Sequence, residues 1–230
     1  MAIVIPALNE AETIGALIRR APYAPDHITV ADNGSTDGTA AIALGAGARV
    51  VSVPRRGYGR ACRAGIAANP GAEVFVFLDA DLSESPEEMV DLVQPILRGQ
   101  ADFVLGARDG RERPWHARAG TRLCVWLINR LWKTRYTDLG PFRAIRAASL
   151  RALDMRDETW GWTIEMQVKA AEQGLRWREV AVFSGPRAGG RSKISGSMTG
   201  TLRAAGRMLE TILRLRLVGA GRRRRAEIPS

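Results

Sequence analysis

The sequence predicts an α/β protein with a mostly parallel central sheet flanked by helices, and three observations carry that prediction. Short β-rich apolar runs alternate with helical patterns through the first half, as βαβ units require. Polar clusters fall where those runs end, at Asn9-Glu10 and at residues 32–37, 55–60 and 79–83. The chain has 230 residues, 46% hydrophobic and 25% charged, enough for one sizeable core without cross-links.

The first strand spans residues 2–6 and precedes a helix at Ala11–Arg20. A strand at 27–32 runs into the turn NGSTDGT, followed by a helix at 36–45 and a strand at 49–53. After the loop PRRGYGR come a helix at 61–68, a strand at 73–78, a helix at 86–98 and a strand at 103–106. The second half changes character. An arginine-rich loop at 108–118 leads to an apolar helix at 119–132, and a loop at 138–145 leads into a strand. A helix at 163–173, a strand at 177–183 and a Gly-, Ser- and Arg-rich loop at 184–200 follow. The last helix, 201–218, carries Arg203, Arg207, Arg214 and Arg216 among its leucines. One domain is expected over 1–218, in halves 1–107 and 108–218, with a basic, disordered tail at 219–230 that contains Arg222 to Arg225.

In open α/β sheets, ligands bind beyond the carboxyl ends of the parallel strands, so the polar clusters mark a cleft. The most informative is FVFLDADLSESPEEM, from Phe75 to Met89. Ser85, Pro86 and Glu88 suit a helix start, as N-cap, first helical residue and capping-box partner. Asp79 and Asp81 cap nothing. On an extended segment they face one way, and a Mg²⁺ or Mn²⁺ ion would hold such a pair together; the alternative is a turn with two solvated aspartates. In ADNGSTDGT, Asp32 could accept from a base N–H while the next helix start lies near phosphates. A turn capped by Asp37 or Thr36 explains the same residues. GYGRACRAGI opens a helix with glycines, Arg60 and Arg63, a pattern suited to a diphosphate, although core packing explains Gly65 equally well.

The net charge of +10 predicts an anionic partner: a nucleotide, a phosphorylated substrate or a phospholipid surface. No nucleic-acid partner is expected, because the strands are apolar and tyrosine and phenylalanine are few, which leaves no stacking platform. Cys62 and Cys124 lack metal-ligand spacing, which argues against zinc and disulfides. The N-terminus has no basic n-region and meets Pro6 early, unlike a signal peptide, and no window suits a membrane span. A cytoplasmic location is expected, either free or peripheral on the inner face of the cell membrane.

In this order and spacing, VIPALNE, ADNGSTDGT, GYGRACRAGI and FLDADLS, followed by VLGAR, TDLGPFRAIR, WTIEMQVKAAEQGLRWREVAV and GGRSKISGS, resemble the family 2 glycosyltransferases. Within that family they are most similar to the dolichyl- and polyprenyl-phosphate sugar transferases, from Ile3 to Ser197. The resemblance implies the GT-A fold, a Rossmann-like arrangement, with residues 1–107 binding the nucleotide sugar and 108–218 the acceptor. It implies that Pro6, Ala7, Asn9, Glu10 and Asp32 hold the nucleobase and ribose, and that Gly57 and Arg60 flank the donor. Asp79-Ala80-Asp81 matches the DxD element, whose aspartates bind the metal beneath the sugar-nucleotide diphosphate. Arg108, Arg118, Arg122 and Arg143 fall in the acceptor-phosphate region. Arg187, Arg191, Ser192 and Lys193 match a mobile basic loop, and Glu165 lies where many relatives carry an acidic residue near the acceptor. Asn33 stands where many relatives have a second aspartate. Many polyprenyl-phosphate relatives also carry C-terminal membrane helices that this sequence lacks.

The implied reaction is inverting transfer from a UDP- or GDP-sugar, with Mg²⁺ or Mn²⁺ held by Asp79 and Asp81 and Asp81 counted as catalytic. An anionic phosphate acceptor needs little help from a base. A hydroxyl acceptor needs one, with Glu165 or Asp138 as candidates. The helix at 119–132, with Arg118, Arg122, Trp115, Trp126 and Trp132, suits a membrane surface, although its apolar residues could equally be core. The basic last helix and tail favour anionic lipid. The leading expectation is a polyprenyl-phosphate acceptor at the membrane surface, with a soluble hydroxyl acceptor second. A nucleotidyltransferase would need a glycine-rich phosphate loop where PALNE stands.

Overall fold

The structure is a computed structural model that describes residues 1–108, 115–189 and 206–217. Its elements run β1 (Ala2–Ala7), α1 (Ala11–Arg20), β2 (Ile28–Asp32), α2 (Thr39–Gly45), β3 (Arg49–Ser52), α3 (Tyr58–Ala67), β4 (Val74–Phe77) and α4 (Met89–Leu97). They continue with β5 (Phe103–Arg108), α5 (Trp115–Trp132), β6 (Arg143–Arg146), α6 (Ala147–Leu153), α7 (Trp162–Glu172), β7 (Trp177–Val182) and a helix at 206–217, here α8. The strands form one seven-stranded sheet in the order β3-β2-β1-β4-β6-β5-β7. β6 alone runs antiparallel, against both β4 and β5. The carboxyl ends of the other strands therefore share one edge, and the residues after β1, β2, β4, β5 and β7 can meet there.

Both sheet faces are covered, which is why the central strands are continuous apolar runs. Alternation along β4 divides the core: Phe75 and Phe77 pack with Phe103, Ile128 and Trp162, while Val74 and Val76 pack with Ile14, Met89 and Leu92 on the other face. α3 lies close on β1. A Cβ at Gly65 would overlap the Val4 side chain, so that glycine serves helix–sheet contact. Cys62 and Cys124 are buried free thiols.

The expected strands are present, and the differences are mostly at helix starts. α2 begins at Thr39 rather than 36, because Gly34 and Gly38 take left-handed φ of 85° and 87° and keep the preceding turn non-helical. α3 begins three residues early, at Tyr58, and α5 begins at Trp115 rather than 119. Residues 86–88 form a 3₁₀ turn ahead of α4. No capping box forms there: the Ser85 side chain makes no cap bond, and the Glu88 carboxylate accepts the Phe183 N–H at 3.0 Å instead. α6 was not expected at all. The 206–217 part of the last helix is helical. Arg191, Ser192, Lys193 and the Arg222 to Arg225 run lie outside the described residues.

Candidate active site

The ends of β1 and β2 are laced together by short side chains. Asn9 adopts φ 52°, a region asparagine tolerates better than most residues. Its N–H donates to Ser35 Oγ at 2.9 Å, and its Oδ1 accepts the Thr36 N–H at 2.8 Å. Glu10 N–H donates to Thr39 Oγ1 at 2.9 Å, and Asp32 Oδ1 accepts the Ser35 N–H at 3.1 Å. Asp37 accepts N–H bonds from Thr39 and Ala11, each at 3.1 Å. Burial would raise its carboxyl pKa, but the bond from the Thr39 hydroxyl and these N–H bonds outweigh burial and hold it low. Asn33 joins the ends of β1 and β2 to the start of α3: its N–H donates to the Ala7 carbonyl at 2.8 Å, and its Oδ1 accepts the Gly57 N–H at 3.0 Å. That bond is the local role of the Asn33 side chain. Pro6 and Ala7 are buried in β1, and Ala7 pairs in register with Asp32.

The start of α3 faces inward. Gly59 and Arg60 N–H groups donate to the carbonyls of Thr159 and Glu158, each at 3.2 Å. A Cβ on Gly57 or Gly59 would strike the backbone oxygens of Glu158 or Asp157, so these glycines admit a crossing chain. Arg60 forms an ion pair with Glu158 and donates to the Arg56 carbonyl at 2.8 Å.

β4 ends at Phe77, so Asp79 and Asp81 sit on a turn rather than on an extended strand. Leu82, at φ 55°, bends that turn. The carboxylates converge all the same. Tyr58 donates its hydroxyl to Asp79 Oδ1 at 3.1 Å. Asp81 Oδ1 accepts from Ser83 N–H at 3.0 Å and Ser83 Oγ at 2.6 Å, and its Oδ2 pairs with Arg187 Nη1 at 2.7 Å. Ala80 contributes its carbonyl, which accepts the Thr13 hydroxyl at 2.8 Å. A third carboxylate, Glu84, is only 2% exposed and lies 3.2 Å from Ser83 Oγ. Burial, and then the Asp81 charge, push the Asp79 pKa up to about 7; burial, and then Asp79, push Glu84 up to about 8. Glu84 was hidden in the sequence among the acids of an apparent helix start.

Arg187 enters from the end of β7. Besides Asp81 it pairs with Glu10 Oε1 at 2.6 Å, so a single guanidinium spans the ends of β1 and β4. Its chain is docked there by the Gly185 N–H on the Ser83 carbonyl at 2.9 Å and the Ala188 N–H on the Asp81 carbonyl at 3.1 Å. Arg187 Nε is buried with no hydrogen-bond partner among the described residues. Arg108, ending β5, makes a bidentate pair with Asp138 at 2.6 and 3.0 Å. Burial would raise the Asp138 pKa, but Arg108 and backbone N–H bonds prevail and hold it low.

The remaining candidates lie deeper or farther out. Arg143 is 0% exposed; its guanidinium donates to the Thr163 carbonyl at 2.9 Å, contacts the Gly140 carbonyl and sits 5.8 Å over the Phe103 ring. Burial lowers its pKa to about 10. Glu165 is 2% exposed, accepts the Arg156 and Asp157 N–H groups at 3.0 and 2.7 Å, and pairs with Lys169 at 2.7 Å. Arg118 and Arg122 lie on α5, half-buried and exposed. α5 and α8 expose Leu123, Trp126, Leu213 and Leu217. No described helix is long and apolar enough to cross a membrane.

The profile of glycosyl transferase family 2 matches residues 2–158. An uncharacterized glycosyltransferase of Mycobacterium tuberculosis is 39% identical over 203 residues, which cover 87% of this chain and 92% of that protein. The undecaprenyl-phosphate mannosyltransferase of Micrococcus luteus is 31% identical, with 86% and 88% of the two chains covered. The polyprenol monophosphomannose synthase of Mycolicibacterium smegmatis is also 31% identical, with 85% and 81% covered. Among solved structures, the glucosyl-3-phosphoglycerate synthase of M. tuberculosis with Mn²⁺, UDP-glucose and phosphoglyceric acid superposes with TM-score 0.76 at 25% identity, covering 94% of this chain and 79% of that one. This chain therefore belongs to the family 2 glycosyltransferases, as a GT-A-fold transferase related to the polyprenyl-phosphate sugar transferases.

Proposed function

We propose that this enzyme moves a sugar, with inversion, from a nucleotide-sugar donor to a polyprenyl phosphate at a membrane surface. The observation that carries this reading lies at one sheet edge: Arg187 pairs with both Glu10 and Asp81, and Asp79 stands near enough to feel the charges of Asp81 and Arg187. The carboxylates suit Mg²⁺ or Mn²⁺. Their oxygens are hard ligands, and burial, then the Asp81 charge, raises Asp79 to about 7, so a cation there would favour its ionised form. Asp79 and Asp81 would hold such an ion from the protein side, and a diphosphate would offer it further hard oxygens. When bound, the metal would offset charge on the leaving diphosphate.

The protein's own residues do the rest. Asn9, Glu10, Asp32 and the strand ends that Asn33 joins would receive the nucleoside; Gly57 and Arg60 would border the donor. Arg187, with a buried Nε unpartnered among the described residues, would turn from the carboxylates to a phosphate oxygen. Arg191, Ser192 and Lys193 would join it. Arg108, Arg118 and Arg122 would attract the acceptor phosphate, with Arg143 holding that wall from within. The acceptor oxygen attacks the anomeric carbon as the bond from that carbon to the diphosphate breaks. A phosphate monoester already carries the needed charge, so no base is required. Glu165 and Asp138 are engaged by backbone N–H groups and cations, which suits that choice.

The exposed Leu123, Trp126, Leu213 and Leu217, among basic side chains, support a peripheral membrane position. One observation favours a second reading, a soluble phosphorylated acceptor: the structural likeness to a synthase whose complex holds phosphoglyceric acid. A screen of UDP- and GDP-sugars with Mn²⁺, following nucleoside diphosphate release with polyprenyl phosphate or phosphoglyceric acid, tests both. Release that depends on polyprenyl phosphate is expected. Release only with the soluble acid would replace the leading reading, and no release with either would reject both.

A further inference from the structure

Glu165 lies in α7, yet its carboxylate is spent on the loop that precedes the helix. Its oxygens accept the Arg156 N–H at 3.1 and 3.0 Å and the Asp157 N–H at 2.7 Å, and Lys169 balances its charge. That loop is gripped elsewhere too. Asp157 accepts the Thr159 N–H at 2.7 Å and Arg214 of α8 at 3.0 Å. The loop in turn grips α3: the Glu158 and Thr159 carbonyls receive the first N–H groups of the helix, and the Trp160 ring stacks on Tyr58 at 5.6 Å between centroids, 25° between planes. Tyr58 is the residue whose hydroxyl reaches Asp79 at 3.1 Å. Every step from Glu165 to Asp79 is a direct contact.

We infer that Glu165 is a positioning residue for the Asp79 carboxylate, acting through the 156–160 loop, Trp160 and Tyr58, and that it takes no proton from the acceptor. This rests on the proposal that Asp79 and Asp81 bind a divalent cation. The physical reason is outer-shell control: a ligand carboxylate is only as well aimed as the groups that hydrogen-bond to it. Tyr58 is a single donor, and its ring has one stacked neighbour from this loop. A loosened 156–160 loop frees the ring to turn and takes the hydroxyl from Asp79. Two carboxylate oxygens suit the task because two successive backbone N–H groups must be held together. A Gln side chain offers one acceptor oxygen and loses the pair with Lys169.

The test is a double-mutant cycle on the full-length protein, with Mn²⁺ alone titrated by electron paramagnetic resonance. Tyr58→Phe and Glu165→Gln are each expected to weaken Mn²⁺ binding about tenfold. The double variant is expected to stay near tenfold rather than reach a hundredfold, because both substitutions break one chain of contacts. The pH–rate profile of Glu165→Gln should keep the wild-type shape. Multiplying effects, wild-type Mn²⁺ affinity in Glu165→Gln, or the loss of an acidic limb in its pH profile would each overturn the proposal. If Glu165→Gln does not fold by circular dichroism, Trp160→Ala, an exposed loop residue, takes its place in the cycle under the same criteria. A wild-type protein that binds no Mn²⁺ would overturn the metal reading and this proposal with it. Normal binding with additive effects would overturn this proposal alone.

Discussion

Asp79 and Glu84 share one turn with Asp81, and burial first, then the neighbouring carboxylate charge, makes Asp79 and Glu84 hold their protons. Glu84 moves from an ordinary 4.5 to about 8 in the folded chain. Between those values the unfolded chain has already released this proton and the folded chain has not, so the contribution of Glu84 to stability falls as pH rises through that window. Glu84→Gln is therefore expected to match wild type near pH 4 and to exceed it by on the order of 1 kcal/mol at pH 8; thermal unfolding across that range checks it. If the two curves stay parallel, Glu84 is not the strained acid. Asp81→Asn is expected to reduce sugar transfer by about three orders of magnitude (~4 kcal/mol of barrier) while the fold persists. Turnover at the wild-type rate would remove Asp81 from the chemistry. The Asp79 and Asp81 pair was legible in the sequence because capping left both unexplained. Glu84 was not, because it stands among acids beside the Ser85, Pro86 and Glu88 helix-start pattern, and nothing local marks it as buried.

At the scale of elements, helix starts were the least legible feature, for a reason visible in α3. Its first N–H groups are satisfied by the carbonyls of Glu158 and Thr159, about a hundred residues away in the chain, so no local cap was needed and none is written near Tyr58. α4 tells the same story in reverse. Ser85 and Glu88 look like a capping box, yet the Glu88 carboxylate is drawn to the Phe183 N–H after β7. Close approach between elements is also a stability prediction. Gly59→Ala would drive a methyl group into the Asp157 backbone, and a loss of about 1–3 kcal/mol is expected from overpacking. Urea unfolding measures it, and an unchanged midpoint would mean that the loop yields freely.

At the scale of the whole molecule, the antiparallel β6 lets β5 and β7 join a sheet whose other carboxyl ends already form a cleft. Arg108 and Arg187 thereby reach the same edge as Asp79 and Asp81. On the outside, α8 exposes Leu213 and Leu217, with Glu210 and Arg214 exposed beside them. If this is the membrane-facing side, Leu213→Asp with Leu217→Asp should reduce cosedimentation with anionic vesicles several-fold. Added salt should weaken wild-type binding as well, since each basic residue near the surface is worth roughly 1 kcal/mol. Vesicle binding that ignores both changes would locate the membrane contact elsewhere or dispense with it.

The alternation of apolar runs and helices, the acids and small polar residues at strand ends, and the order of motifs were all written locally, so the α/β class and the pairing of Asp79 with Asp81 could be read from the chain. Periodicity and strand-end chemistry survive folding because they depend on near neighbours. The contacts that assign work to individual side chains join residues far apart in sequence: Arg187 with Glu10 and Asp81, Glu165 with a loop that steadies Tyr58, Arg143 with the carbonyls of a buried wall. Nothing local predicts which distant carbonyl or carboxylate a guanidinium will meet. The strand order decides that, because it brings the ends of β1, β4 and β7 within the reach of one side chain.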